Sequence, residues 1–331
     1  MQAGGNMRSL VLLLVLGCSA KTDSDTPAED DGPVMLEPPE EGEGFQLAMS
    51  GVAPPFSEVW LCDVYKIPID EMAHVKWVKF NQNDGTHHMT LSTLGMGPSG
   101  LDYGTYDCND LYGDSSLMQE QIMFFGAQGD ATGEMHLPDG VVASLPATID
   151  VIHEIHYVNP TDEEVAIYSQ INGYTIPADS NNESIWGGQT RDENIFIPAA
   201  EDGEPAVHTE WSRCVFNEDV EVHFLAAHQH ELGSFFEVSL FDGTEVGEVF
   251  YTNDDWHNPN ITQFDPPLVI PEGEGFEWAC TWTNPNEHEV VYGLDSTDEM
   301  CNLAMVHTPF SMTAECTVVE TSDGVLWESG T

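Results

Sequence analysis

Apolar and polar positions alternate in short bursts along most of the chain. The runs EVWLCDVYKIPI (58–69), AHVKWVKFNQ (73–82), ATIDVIHEIHYVN (147–159), EVAIYSQINGYTI (164–176), VEVHFLAAHQHELG (220–233), SFFEVSLF (234–241) and CNLAMVHT (301–308) alternate or gather β-branched and aromatic residues. Side chains on a strand point to opposite faces in turn, so this pattern predicts strands with one buried face. Turn-rich joints such as NPTDEE (159–164), PADSNNES (177–184) and LFDGTE (240–245) separate them. No run keeps a helical period, so the predicted fold is all-β, of β-sandwich architecture. PADSNNES is the most polar joint near the middle, and it predicts two domains, residues 45–178 and 179–331, each with its own histidine cluster.

Composition supports a folded body: 41% of the residues are hydrophobic and 10% aromatic, too many for a disordered acidic chain. Seven Lys plus Arg against 58 Asp plus Glu give a net charge of −51. That leaves no basic stripe for phosphates and argues against nucleic acid or an anionic membrane surface as a partner. At the N-terminus Arg8 precedes the apolar run LVLLLVLG (10–17), which Cys18 follows at once. Eight residues are too few to cross a bilayer, so the segment reads as a signal peptide, residues 1–17. VLGC resembles a bacterial lipobox, which implies a lipid on Cys18 and an exported protein anchored in the envelope, with Ser19 compatible with outer-membrane sorting. Residues 18–44, rich in Asp, Glu, Pro and Gly, read as a disordered acidic tether. Beyond Cys18 stand six cysteines, an even number in an oxidising compartment, so disulfides are expected; spacing alone allows fifteen pairings.

Histidine carries the candidate chemistry. His228 and His230, two apart on a predicted strand, share one face and can chelate a metal, although the same spacing also describes two exposed polar residues. Met300, Asn302 and Ala304 likewise share a face, with Cys301 and Leu303 on the other. Thioether plus imidazole suits copper better than zinc or magnesium. His87 and His88 are neighbours, so a shared purpose requires the backbone to leave the regular pleat after the turn-like NQNDGT. Of His153 and His156, three apart, one strand can turn only one toward them. The remaining histidines, 74, 136, 208, 223, 257, 288 and 307, read mostly as surface or satisfied core residues, with His153 and His307 candidates to lie near a site.

In order along the chain, THHM, HYVNP, H-x-H and DEMCNL closely resemble the copper type II, ascorbate-dependent monooxygenases. The resemblance implies two jelly-roll β-sandwich domains facing across an open cleft, each with one copper. By that match His87, His88 and His156 hold an electron-transfer copper, and His228, His230 and Met300 hold the copper at which O2 and a small substrate react. The cofactors implied are two copper ions per chain, with ascorbate or another one-electron donor as co-substrate. The implied disulfides are Cys62 with Cys108, Cys214 with Cys316 and Cys280 with Cys301, the last bracing the Met300 strand from behind.

The chain departs from the peptide-amidating relatives at two substrate-pocket positions. Ala226 stands where they carry an arginine and Ala304 where they carry a tyrosine, while Asn302 keeps the polar neighbour. Two methyl groups cannot make the charge-assisted clamp of a carboxylate, so a C-terminal glycine peptide is not expected as substrate. The implied enzyme hydroxylates a C–H bond of a small, non-carboxylate substrate. A non-catalytic copper-binding envelope lipoprotein could keep the same six ligands, and a disulfide-stapled adhesion sandwich needs none of them.

Overall fold

The computed structural model describes residues 35–325, apart from 114–116, 118–120, 178–180, 294 and 312–313. Cys18, the segment 1–17 and residues 18–34 lie outside the described residues. The segment 35–44, expected as tether, is tied down before the first strand: Leu36 N donates to Gln170 Oε1 at 2.7 Å and Asn172 Nδ2 donates to the Glu37 carbonyl at 2.8 Å.

The described chain is almost wholly strand, with one short helix, Cys108–Tyr112, capped by the Asp107 side chain. Two sheets arise from the first half. One has the order Gly44–Ala53, Val165–Ile176, Ala73–Gln82, Val141–Leu145, Glu183–Ser184, with Thr132–His136 also pairing Ala73–Gln82. The other has the order Gly104–Asp107, Ser57–Lys66, Asp150–Asn159, Thr86–Leu94, Gln121–Gln128. Their inner faces meet in one core that joins Leu47, Val75, Phe80 and Ile171 to Met89, Leu91, Phe125 and Val151. The alternation read from the sequence is what lets both sheets contribute a dry face.

Two further sheets, of four and six strands, form from the second half: Trp186–Arg191, Asn302–Thr308, Val220–His228, Thr262–Ile270, and Val246–Asn253, Gly233–Phe241, Gly275–Asn284, Ala206–Phe216, Cys316–Thr321, Gly324–Val325. Leu225, Ala227, Leu303 and Met305 of the first pack on Phe216, Phe236, Trp278 and Trp282 of the second. A two-stranded ribbon pairs Phe196–Ile197 with Val290–Val291. Three disulfides are formed, Cys62–Cys108, Cys214–Cys316 and Cys280–Cys301, the pairs the resemblance implied.

A single parallel pairing, Glu183–Ser184 with Val141–Val142, links the sheets of the first half to the chain that enters the second. The halves also touch through side chains: Phe224 packs with Leu137 and Val141. A Cβ on Gly187 would meet the Met123 carbonyl oxygen at 3.0 Å, so the strand Trp186–Arg191 approaches the strand Gln121–Gln128 closely enough to leave little room for a side chain there. These contacts bring the outer face of the Asn302–Thr308 sheet against the end of the sheet that carries His87 and His88.

Candidate metal centre

The neighbouring histidines are made to converge by one irregularity. Asn83, Asp84, Gly85 and Thr86 form a turn in which Gly85 takes φ +81° and Thr86 N donates to the Asn83 carbonyl. In the ladder with Asp150–Asn159, Thr86 pairs Tyr157 and His88 pairs His156, with the register shift falling between Thr86 and His88. His87 is therefore the extra residue of a β-bulge, a device that re-aims a side chain. The ring centroids of His87, His88 and His156 stand 4.9 to 5.0 Å apart. One ligand atom from each lies within 4.8 Å of the others. His153, on the same strand as His156, points elsewhere: Tyr65 and Ser169 satisfy its two ring nitrogens at 2.9 and 2.7 Å. His307 packs its ring against Phe216 in the second core, away from this group.

His228 closes the strand Val220–His228 opposite Asn302, and Ala226 pairs Ala304, so all four side chains share the outer face of that sheet. Met300 immediately precedes the strand, is buried, and accepts from Asn302 Nδ2 at 3.2 Å through its sulfur. Glu299 joins it to His230: the carboxylate accepts from the backbone N–H of His230, Leu232 and Met300 and from Trp282 Nε1, at 3.0, 2.7, 3.2 and 2.9 Å. Burial pushes the Glu299 carboxyl up to about 7, against those four donors.

The two histidine groups adjoin. His87 lies 5.5 Å from His230 and 6.3 Å from His228, and His88 lies 6.0 Å from His228, centroid to centroid. This corrects the expectation of an open cleft between them, because two bridges draw the halves together here. Glu58 accepts from His156 Nε2 at 2.6 Å and from Ser296 N and Oγ at 3.1 and 2.9 Å. Gln128 contacts His228 Nδ1 at 2.9 Å and donates to the Trp256 carbonyl at 2.6 Å.

These partners settle which ring nitrogens are free. The hydrogen bond from His156 draws the Glu58 carboxyl down to about 2, so the carboxylate only accepts; Nε2 carries the proton and the Nδ1 lone pair accepts from His87 Nδ1 at 3.2 Å, which leaves His87 Nε2 without a proton. The Asp298 carbonyl can only accept, so His230 Nδ1 donates to it at 3.1 Å and leaves Nε2 bare. Gln128 Oε1 can only accept, and the amide nitrogen is turned to the Trp256 carbonyl, so the oxygen takes the proton of His228 Nδ1. His87 Nε2, His88 Nδ1, His230 Nε2 and Asn302 Oδ1 are buried with no hydrogen-bond partner. Buried polar atoms are normally paired, and several bare imidazole nitrogens in one place are what a metal ion satisfies. The residues present therefore fit a metal, and the donor set of neutral imidazoles with one thioether fits copper.

Burial, then neighbouring histidines, holds His87 at about 3, and burial holds His230 at about 4, while His88 and His228 lie well below 6.5 for the same reasons. Each is neutral when folded and takes up a proton when unfolded at mildly acid pH. The unfolded state therefore binds more protons below pH 6.5, and folded stability falls as pH drops from 6.5 toward about 3. Denaturant unfolding of the metal-free protein between pH 7 and 4 should show this loss. Replacement of His87 or His230 by Gln should flatten it.

The all-β fold thus gathers five histidines in one place, with Met300 beside Asn302, in a soft, nitrogen-rich candidate metal site. Residues 187–329 match the model for the C-terminal domain of the copper type II ascorbate-dependent monooxygenases. The second half of the chain is thus similar to a family whose metal is copper and whose reductant is ascorbate. It is 25% identical over 300 residues to peptidyl-glycine alpha-amidating monooxygenase A of Xenopus laevis, covering 86% of this chain and 30% of that protein. It is 26% identical over 307 residues to the B form, covering 86% and 32%. The chain thus spans about a third of the length of the curated relatives it matches. Among solved structures, the major capsid protein P2 of bacteriophage PM2 aligns with a TM-score of 0.32 at 8% identity, over 82% of this chain and all of that one, a likeness too slight to carry any argument.

The sequence singled out all five clustered histidines and Met300. It gave no sign of Glu58, Gln128 or Trp256, which come from remote strands and loops. Glu299 was visible only as one of two acids before Met300.

Proposed function

We propose that this chain is a copper-dependent monooxygenase that hydroxylates a C–H bond of a small substrate with O2 and a one-electron reductant such as ascorbate. In this reading the chain folds as two jelly-roll domains, residues 45–178 and 179–331. His87, His88 and His156 hold one copper, and His228, His230 and Met300 hold a second. The observation that carries it is the set of bare imidazole nitrogens converging in one buried place, with each ring's other nitrogen fixed where a partner could be identified. Copper, when bound, supplies one-electron redox chemistry and a place for O2. The chain's own groups hold the ligands: Glu58, Gln128 and the Asp298 carbonyl fix tautomers, and Glu299 ties the backbone of His230 to that of Met300. Such partners orient metal ligands and raise their basicity.

Ala226 and Ala304 place two methyl groups on the sheet face beside His228 and Asn302. No carboxylate is clamped at those two positions, and a C-terminal glycine peptide is not turned over.

The test is the copper content of the full chain after reconstitution, with His87→Ala and His228→Ala in parallel. About two coppers, falling to about one in each variant, together with ascorbate-dependent O2 uptake in the wild type, support the reading. Bound copper with no reductant-dependent O2 uptake on any small substrate identifies a copper-binding envelope protein instead. Absence of bound copper refutes both.

A further inference from the structure

The first core is incompletely filled at one level, where two irregularities of its sheet coincide. The strand Ala73–Gln82 pairs Val141–Leu145 at Ala73, His74 and Val75 but Thr132–His136 from Trp77 onward, so its neighbour changes at Lys76. On its other side the register with Val165–Ile176 shifts between Tyr174 and Thr175, which pair Trp77 and Val75. A break of this kind bends the strand and disturbs the even spacing of the side chains beneath it. Two small residues stand at the same level, Ala143 opposite Val75 and Gly173 opposite Val78. A cavity of about 40 Å³ remains, walled by Val75, Val78 and Ile171 from one sheet and by Leu91 and Phe125 from the other.

Its chemistry and size are selective. Trp77 apart, no lining side chain carries a nitrogen or oxygen, so a water would lack the roughly two to four polar partners it needs and the space stays dry. The volume exceeds the roughly 10–15 Å³ that one water needs and falls far short of the ~150 Å³ cavity that takes benzene. It admits a small apolar gas and excludes a ring. The cavity also reaches the joint between the halves: Met135, Leu137, Ala143 and Ile185 line it and belong to the apolar cluster that holds Phe224 and Val306. Phe224 and Val306 pair across the strands Val220–His228 and Asn302–Thr308, followed by Ala226 with Ala304 and then His228 with Asn302. Rows two residues apart share a face and lie about 6.6 Å apart, so four apolar side chains pave the roughly 13 Å from Phe224 to His228.

We propose that this cavity is a binding site for dioxygen, and that the apolar strip from Phe224 to His228 passes the gas to the metal face. O2 is apolar and gives up no strong hydrogen bond on leaving water, so a dry space favours it for the reason that burial of any apolar surface is favoured. Close walls add dispersion contacts on every side. Water in the same place gains neither. A site this near the ligands raises the local supply of a reactant that is dilute in water, and Ala226 and Ala304 keep the strip apolar and shallow along its middle. The supply role rests on the monooxygenase reading of the metal site; the binding of the gas does not.

Xenon, an apolar gas with a strong scattering signal, is the first probe. Crystals of the full chain held under xenon pressure should show an atom among Val75, Leu91 and Ile171. Ala143→Val adds two methyl groups to one wall and Val78→Ile adds one to another; a thermal unfolding curve confirms that each variant folds, and each should lose the xenon. Reductant-dependent O2 uptake by the copper-loaded full chain is then followed as a function of O2 concentration. In the filled variants the O2 concentration for half-maximal uptake should rise about twofold or more, with the maximal rate unchanged, since the ligands are untouched. No xenon in the wild-type cavity, or xenon that stays in both folded variants, overturns the binding site. Xenon lost from the variants with the half-maximal O2 concentration unchanged overturns the supply role. A wild type that holds xenon but takes up no O2 sinks the enzymatic reading, and the supply role with it, while the gas site stands.

Discussion

Replacing Met300 with isoleucine should abolish product formation and leave the protein folded. Met300 is buried at the entrance of the strand Asn302–Thr308, and its sulfur is the atom that Asn302 Nδ2 contacts at 3.2 Å. Isoleucine is of similar volume and wholly apolar, so the exchange costs less than about 1.5 kcal/mol in stability. What it removes is the thioether, the soft ligand that suits cuprous copper. Loss of a partner that merely supports a ligand typically costs 10–100-fold in metal affinity or activity. Loss of the ligand itself should lower turnover by more than about a hundredfold on the same scale. Product analysis with ascorbate and O2, beside a thermal unfolding curve, checks it. Wild-type turnover in a folded Met300→Ile variant would remove Met300 from the ligand set.

Glu299→Ala should be the most destabilising single exchange near the site. The carboxylate is fully buried and receives four donors: three backbone N–H groups from His230, Leu232 and Met300, and the indole of Trp282. Truncation leaves those donors without partners in a place that water does not reach, at about 1–3 kcal/mol for each one left unpaired. A loss of at least about 4 kcal/mol follows, a large share of the 5–15 kcal/mol that holds a typical domain. Glu299→Gln keeps the shape and one acceptor oxygen, so it should fall between the two. Denaturant unfolding of the three proteins decides the order. If Glu299→Ala unfolds like the wild type, the donors have found other partners and the link between His230 and Met300 is not what positions them.

Much of the site was legible along the chain because its ligands come as short local patterns. H-x-H on a strand has a fixed geometric meaning, and the alternation that puts Met300, Asn302 and Ala304 on one face appears in the structure as Leu303 and Met305 packed in the core opposite. The adjacent pair at 87 and 88 was legible as a problem, and the β-bulge solves it. Alternation also predicted that His153 and His156 face opposite ways, and His153 is taken up by Tyr65 and Ser169. The disulfide partners, by contrast, came from resemblance, since spacing alone does not pair six cysteines.

The sequence by itself determined the all-β class and the candidate histidines, because strand alternation and chelate spacing are properties of a few neighbouring residues. The tertiary structure alone decided that the two histidine groups meet, since that depends on Glu58 reaching Ser296 and Gln128 reaching His228 between distant parts of the chain.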